Sequence, residues 1–355
     1  MAFTQAELDN IAAATLDLYL RGQPMTQVIQ DKPLLNAMKS AQKTFGGAKE
    51  NISGAVKGNY DSYFAGYTHN DQVAFQNPTN IKRWSTPWKE LSGGLEVSMT
   101  ELKKNGIHVV DTNGQSITRA SDQEKYALAD LMQDKMEDMS EGMARDMNEY
   151  FWGDGTADAK GPIGVTGLIV DDPSTGTLQG IDRSTNAWWR NRAHIATTTA
   201  SDPLNVTTNS SYKIANFLTS EVRQLRRFGG RPTLGFAGSV FLDYLEAEMR
   251  NSGYYTDAGW AAKGSIDIGM ANPRLKGVEI QYDPTLDDLG LEKRLYLLDP
   301  RHIFPYVMQG EDMKTHNPAR PHDRYMIYKA VTWTGNMVTN QANAHGVYEI
   351  ATTTV

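Results

Sequence analysis

Cysteine is absent from all 355 residues. The chain therefore has no disulfide, no thiolate metal site and no cysteine nucleophile, which suits a reducing compartment. Also missing is any apolar run near the roughly 20 residues that cross a bilayer. The first residues, MAFTQAELDN, lack a basic start followed by an apolar stretch and read as no secretion signal. The expectation is a soluble protein made in a cytoplasm. Positive charge is scarce, with 35 Lys and Arg against 42 Asp and Glu and a formal net charge of −7. That balance argues against gripping nucleic acid through a broad basic surface. Repeats and low-complexity stretches are lacking too. With 40% hydrophobic and 22% charged residues, the chain is folded rather than disordered. It is long enough for two domains, or for one domain with large extensions.

The usual signatures of catalysis are thin. No GxSxG elbow occurs, and GPIGVTG (161–167) matches neither a phosphate loop nor a dinucleotide fingerprint. Of the seven histidines, only His316 and His322 lie close together, with Asp323 beside them in THNPARPHDR. Two prolines between them spoil a helical presentation of ligands, so the segment reads as a loop. DGTADAKG (154–161) has calcium-like acidic spacing without the terminal glutamate, and reads as a turn. Arg223, Arg226, Arg227 and Arg231 form the densest basic cluster, consistent with a solvated helix end near its negative pole. No cofactor and no metal is expected, and the protein reads as no enzyme.

What is present is unusual in arrangement. Thr4 to about Leu20 has a capping-box start and an apolar side formed by Leu8, Ile11, Ala12, Leu16 and Tyr19. A second short helix is predicted around Lys32–Lys43 with Leu34, Leu35 and Met38. Both are short and flanked by polar linkers, as in an arm rather than a core. From about Gly46 to Gly94 there is no helical period, yet Tyr60, Tyr63, Phe64, Tyr67, Phe75, Trp84 and Trp88 crowd together between turn residues. This reads as a long hairpin-like excursion. Connections of that length usually bind or reach something.

Leu95, Val97 and Met99 alternate with Glu96, Ser98 and Thr100, as in a half-buried strand. Apolar residues then recur by threes and fours from Ser121 to Trp152, ahead of Gly153. This predicts a helix about 48 Å long. Nine carboxylates on it face three cations, and Asp130/Asp134, Asp134/Asp138 and Glu137/Glu141 are like-charge i,i+4 pairs. The ridge is either a solvated face or one that meets basic groups of a neighbour. Beyond it, a helix through Ile214–Phe228, a strand at Thr233–Ala237, a helix opened by Ser239 and the runs GVEIQYD, RLYLLDP and FPYVM predict a mixed lobe. RYMIYKAVTW, GNMVTN and GVYEIA read as three closing strands.

GIDRSTNAWWRN (180–191) places Trp188 and Trp189 among turn-forming residues and arginines. Aromatics and arginine are enriched at interface anchors. A lobe core or another copy of the chain is expected to cover them, rather than a ligand. The candidate intersubunit contacts are therefore Tyr60, Tyr63, Phe64, Tyr67, Trp84, Trp88, Asp134, Asp138, Arg183, Trp188, Trp189 and Arg190.

With these segments in order, the chain resembles the major capsid proteins of tailed bacteriophages with the Hong Kong 97-type fold. The resemblance is carried by PLLNAMKSAQKTFGG, PWKELSGGLEVSMTELKKNGI, EDMSEGMARDMNEYFWGDGT, GLIVDDPSTGTLQGIDRSTNAWWRN and LYLLDPRHIFPYV, and it covers nearly the whole chain. It implies an α+β fold with an N-arm (1–48), an E-loop (49–95) and a peripheral domain (96–159) on the spine helix 121–152. An axial domain (160–310) and C-terminal strands returning to the peripheral domain (311–355) complete it. It further implies pentamers and hexamers of an icosahedral head shell around double-stranded DNA, held without sequence-specific binding and away from any membrane. Assembly would occur in the host bacterial cytoplasm.

The resemblance also implies a portal and cement or decoration proteins as partners. Because Met1 stands almost at the arm, a separate scaffolding protein is expected rather than a cleaved one. No lysine of the E-loop matches the position that cross-links subunits in some members, so no cross-linking is expected. An encapsulin-type compartment shell, a metal-dependent enzyme and a β-rich adhesin or decoration protein are the competing readings.

Overall fold

A computed structural model describes residues 30–47, 50–58, 64–73, 75, 80–98, 100, 122–207, 213–251, 273–316 and 326–352. The expected helix over Thr4–Leu20 and the capping residue Ser121 lie outside them. The described residues fall into two compact units. One is drawn from Glu90–Met147 and Gly310–Trp333, the other from Asp31–Lys89, Asn148–Gln309 and Thr334–Val355.

The second unit is built on a six-stranded mixed sheet. In spatial order its strands are Arg192–Ile195, Gly346–Glu349, Arg294–Leu298, Leu234–Ala237, Val278–Tyr282 and Arg274–Leu275. The central strands LGFA and RLYLL are apolar without alternation because both of their faces are covered. On one face lie the helices Lys213–Leu225 and Ser239–Asn251. The first contributes Ile214, Leu218, Val222 and Leu225, a spacing of fours and threes that makes one apolar stripe. The second adds Phe241, Leu242 and Leu245, packed with Ala237, Ile280, Leu295 and Leu297.

On the other face, Phe236 and Tyr296 pack against Trp152, with ring centroids 5.9 and 5.1 Å away. Trp152 ends the long helix Asp122–Trp152 and is fully buried. Its indole Nε1 donates to Asp283 at 2.8 Å. Asp283 also caps the short helix Pro284–Asp288 by accepting from the Thr285 amide at 3.0 Å. Burial pushes the Asp283 carboxyl above its ordinary range, against these hydrogen bonds. One turn earlier, Asn148 accepts from the Leu35 amide at 3.0 Å and donates to the Thr285 hydroxyl at 2.7 Å. Each of these buried polar groups thus finds a partner.

That network changes the reading of residues 32–43. The helix Pro33–Ala41 forms as expected, but Leu34, Leu35 and Met38 are wholly buried, so it belongs to a core and not to a free arm. Lys43–Phe45 then pairs in parallel with Ile303–Met308. The latter pairs antiparallel with Gly335–Thr339. RYMIYKAVTW and GNMVTN, expected as two strands, are one strand, Met326–Thr339. Gly335 lies inside it, since a lone glycine weakens a strand without ending it.

GPIGVTG has a packing role. The Gly164 amide donates to the Gly153 carbonyl at 2.9 Å. A Cβ on Gly164 would sit 2.5 Å from the carbonyl oxygens of Gly153, Phe151 and Tyr150. Only glycine lets this loop close over the end of the long helix.

In the first unit, the strand Lys89–Ser98 alternates between inward and exposed residues, as Leu95 and Val97 against Glu96 foretold. Met143 of the long helix lies directly over Gly93. Lys314–His316 pairs antiparallel with Ala330–Thr332, and His316 Nε2 lies 2.7 Å from the Thr332 hydroxyl.

One buried group makes the second unit acid-sensitive. His345 is 0% exposed, its Nδ1 accepts from the Asp299 amide at 3.2 Å, and its Nε2 has no partner among the described residues. Burial, only partly opposed by the Asp299 charge, pushes the imidazole down to about 3. Burial also acts to raise Asp299, yet hydrogen bonds from Arg301 and the Arg231 amide hold it below the usual carboxylate range.

Between the free-histidine value of 6.5 and about 3, the unfolded chain binds a proton that the folded chain refuses. Stability from His345 is complete above pH 6.5 and is lost as pH falls. The loss is about 1.4 kcal/mol per pH unit. Asp283, with its raised value, acts in the opposite sense. The contribution of His345 is therefore read by difference. A His345→Asn variant, which keeps an acceptor, should lose about 2 kcal/mol less than the parent between pH 6.5 and pH 5 in denaturant titrations. Equal losses in the two proteins would remove this account.

Candidate functional site

Residues 170–192 answer what covers the paired tryptophans. Thr177–Leu178 and Ile181–Asp182 form a small antiparallel ladder. The Asp182 carboxylate then accepts from the Ser184 hydroxyl and amide at 2.7 and 2.8 Å, which hold it below its ordinary range. This turn aims the single 3-10 turn Ala187–Trp189 inward. Trp189 is 1% exposed and donates from Nε1 to the Leu178 carbonyl at 3.1 Å. Trp188 stacks edge-on against it at 5.7 Å and stays half-buried.

The arginines are spent within the chain. Arg183, 3% exposed, donates to the Leu168 carbonyl at 3.1 Å, and burial pulls its guanidinium below the usual value. Arg190 donates to the carbonyls of Arg183 and Ser184 at 2.7 and 2.8 Å. Arg192 makes a bidentate pair with Glu221 at 2.9 and 2.7 Å, and the Tyr348 hydroxyl donates to the same carboxylate at 3.1 Å. The side chains of Trp189 and Arg183 are thus used within the chain, because the buried carbonyls of Leu178 and Leu168 need donors.

The excursion between Gly46 and Gly94 contains a true hairpin. Asn51–Lys57 and Ile81–Pro87 pair antiparallel over their whole length, from Asn51↔Pro87 to Lys57↔Ile81. Its root is docked within the second unit. The Ser85 amide donates to the Gln179 carbonyl at 2.8 Å, Trp84 is buried, and Asn336 donates to the Pro87 carbonyl at 2.7 Å. Trp88 is half-buried. The Trp188 indole lies so close over Gly58 that a Cβ there would sit 2.5 Å from it. A groove of about 1080 Å³ opens beside this contact, lined by residues including Lys57, Trp188, Arg190, Phe228 and His302.

Between the hairpin strands the chemistry reverses. Phe64 is 101% exposed, Phe75 93% and Tyr67 71%, with Val73 also open to water. The Thr68 amide and hydroxyl both donate to Asp71 at 2.8 Å, giving the described part of the stretch a local turn. Tyr60 and Tyr63 lie outside the described residues. On the long helix, Glu137, Asp138, Asp146 and Glu149 are exposed; the Asp134 side chain lies outside the description.

The dispersed acidic turns are local. Asp154 accepts from the Thr156 amide at 2.9 Å, and Asp158 from the Lys160 amide at 2.8 Å. His322 and Asp323 lie outside the described residues, among which no group of three His, Asp or Glu is placed to hold a metal ion. No described helix is long and apolar enough to cross a membrane.

No family model matches this sequence, and no curated protein matches it. Solved structures do. A chain of the cyanophage A-1(L) capsid asymmetric unit aligns with a TM-score of 0.60 at 15% identity, over 94% of this chain and 98% of that one. A chain from the capsid of a native GTA particle, computed with C5 symmetry, aligns with a TM-score of 0.55 at 15% identity, over 96% and 99%. The capsid structure of cyanophage P-SCSP1u gives 0.55 at 9% identity, over 94% and 92%. The fold of this chain, α+β and matched almost end to end, is that of phage capsid chains.

Proposed function

We propose that this chain is the major capsid protein of a tailed bacteriophage, assembling as pentamers and hexamers into the icosahedral head shell around double-stranded DNA. The observation that carries the reading is the docked hairpin. Its paired strands are held by Trp84 and Ser85 and, at their far end, by the Trp188 contact at Gly58, while the segment beyond them holds Phe64, Tyr67 and Phe75 in water. Burying such a side chain is worth about 1.5–3 kcal/mol. A chain that holds out three of them on one projection is built to bury them against another surface. In this reading the hairpin is the E-loop and Asp122–Trp152 the spine of the peripheral domain, with the strands and helices between Arg192 and Leu298 in the axial domain.

The same reading makes the protein structural and non-catalytic, located in the virion after assembly in the host cytoplasm. A scaffolding protein, a portal and cement proteins are its proposed partners, and DNA is enclosed without sequence-specific binding. The likeness to capsid chains along nearly the full length supports this. The net charge of −7 fits a container that does not grip its contents. Negative-stain microscopy of the purified chain, alone and with its scaffold, tests it. Closed shells or capsomers are expected; a protein that stays monomeric under every condition tried would exclude it.

A further inference from the structure

One surface of the second unit stands against the acidic character of the chain. Arg223, Arg226, Arg227, Arg231, Lys276 and Arg301 are exposed around the end of the helix Lys213–Leu225. Among the described residues, none of Arg223, Arg226, Arg227 and Arg231 forms an ion pair. Arg226 donates to the Lys276 carbonyl at 2.7 Å, which joins two elements of the patch.

In its midst Phe228 is 64% exposed, with the Arg227 guanidinium 5.3 Å from its ring centroid. Gln341 donates to the Phe228 carbonyl at 3.0 Å and fixes that corner. Phe228 also lines the groove beside Trp188. The patch is therefore an arginine rim around an aromatic that borders an open groove. That composition marks interface anchors rather than an idle helix end.

Its complement lies on the same polypeptide. Asp138, Asp146 and Glu149 are exposed on the long helix and fall within about 80° of one another around its axis at 3.6 residues per turn. We infer that the Arg223–Arg231 surface with Phe228 docks the acidic face of the long helix of a second copy. Such a contact joins two different patches of one chain, and so repeats from subunit to subunit as ring-forming contacts do. Duplex DNA is the other polyanion to weigh. A phosphate backbone has no use for an exposed Phe228 or an aromatic-lined groove, and the chain as a whole repels it. The inference rests on the shell reading above and names one contact within it.

A charge exchange tests it. Arg223→Glu with Arg227→Glu, and separately Asp138→Arg with Asp146→Arg, should each raise the concentration threshold for capsomer and particle formation at least tenfold in sedimentation velocity. Thermal unfolding of the unassembled chain should not move, since all four positions are exposed. The four-fold variant, with the charges exchanged, should recover most of the parental threshold. The parental threshold itself should rise with salt.

Normal assembly of the arginine variant overturns the inference and leaves the shell reading intact. Loss of assembly without recovery in the four-fold variant overturns it too, assigning the patch to another surface. If the arginine variant assembles but loses salt-sensitive binding of a 30-base-pair duplex probe, the patch belongs to nucleic acid. A parent chain that forms no assemblies removes both readings together.

Discussion

With Phe64, Tyr67 and Phe75 all replaced by serine, the chain is expected to fold like its parent and to fail to close into particles. The three rings are exposed, so the folded subunit loses little when they go, and its unfolding free energy from denaturant titration should stay within about 0.5 kcal/mol of the parent's. The assembled state loses much more. If a neighbour buries each ring, each contributes about 1.5–3 kcal/mol to the contact. Every 1.4 kcal/mol is a factor of ten in association. Loss of even one ring's worth per contact moves the assembly threshold by about an order of magnitude or more. Sedimentation velocity and negative-stain microscopy on matched concentrations read this directly. Particles at the parental threshold would mean that the projecting segment contacts nothing that matters. A joint fall in the denaturant midpoint would place the rings in the subunit's own core instead.

The second large effect separates two adjacent tryptophans. Trp189→Ala is expected to cost about 3–5 kcal/mol, the range for deleting a buried aromatic. It also leaves the Leu178 carbonyl without the indole donor that now reaches it at 3.1 Å. Against a total stability of about 5–15 kcal/mol, such a loss threatens folding itself. Trp188→Ala removes a half-buried ring and should cost the fold only about 1 kcal/mol, while freeing the far end of the paired hairpin strands, where the indole covers Gly58. Urea midpoints of the two variants check the contrast. Equal shifts would show that the pair is buried as one unit and that its two members are not divided between core and hairpin.

Several elements were legible beforehand because their causes are local. The period of three and four from Leu128 to Tyr150 fixes a helix whatever surrounds it, and the helix runs Asp122–Trp152. Alternation through Leu95 and Val97 marks a strand for the same reason. The break at Gly229 after a run of arginines ends a helix because the glycine there has φ 88°, which other residues rarely adopt. The crowd of aromatics in 60–88 signalled an excursion with more apolar surface than a hairpin can hide. Fold class followed from this order of elements together with the capsid resemblance.

Other features were decided only by contacts distant in sequence. Leu34, Leu35 and Met38 have the pattern of any short amphipathic helix. Nothing within residues 32–43 says that Asn148, 113 positions away, will accept the Leu35 amide and draw that helix into a core. Trp84, Trp188 and Trp189 read alike in composition, yet Trp84 and Trp189 are buried and Trp188 is only half-buried.

The sequence by itself determined the long helix that ends at Trp152, the half-buried strand through Leu95 and Val97, and that the chain has no thiol chemistry. Those properties depend on residue type and on spacing over a few turns. Only the tertiary structure decided which aromatics stay in water, which arginines are consumed by loop carbonyls, and where the uncompensated arginines gather around Phe228. Burial and pairing depend on what arrives from elsewhere in the chain, and no local pattern encodes the arrival.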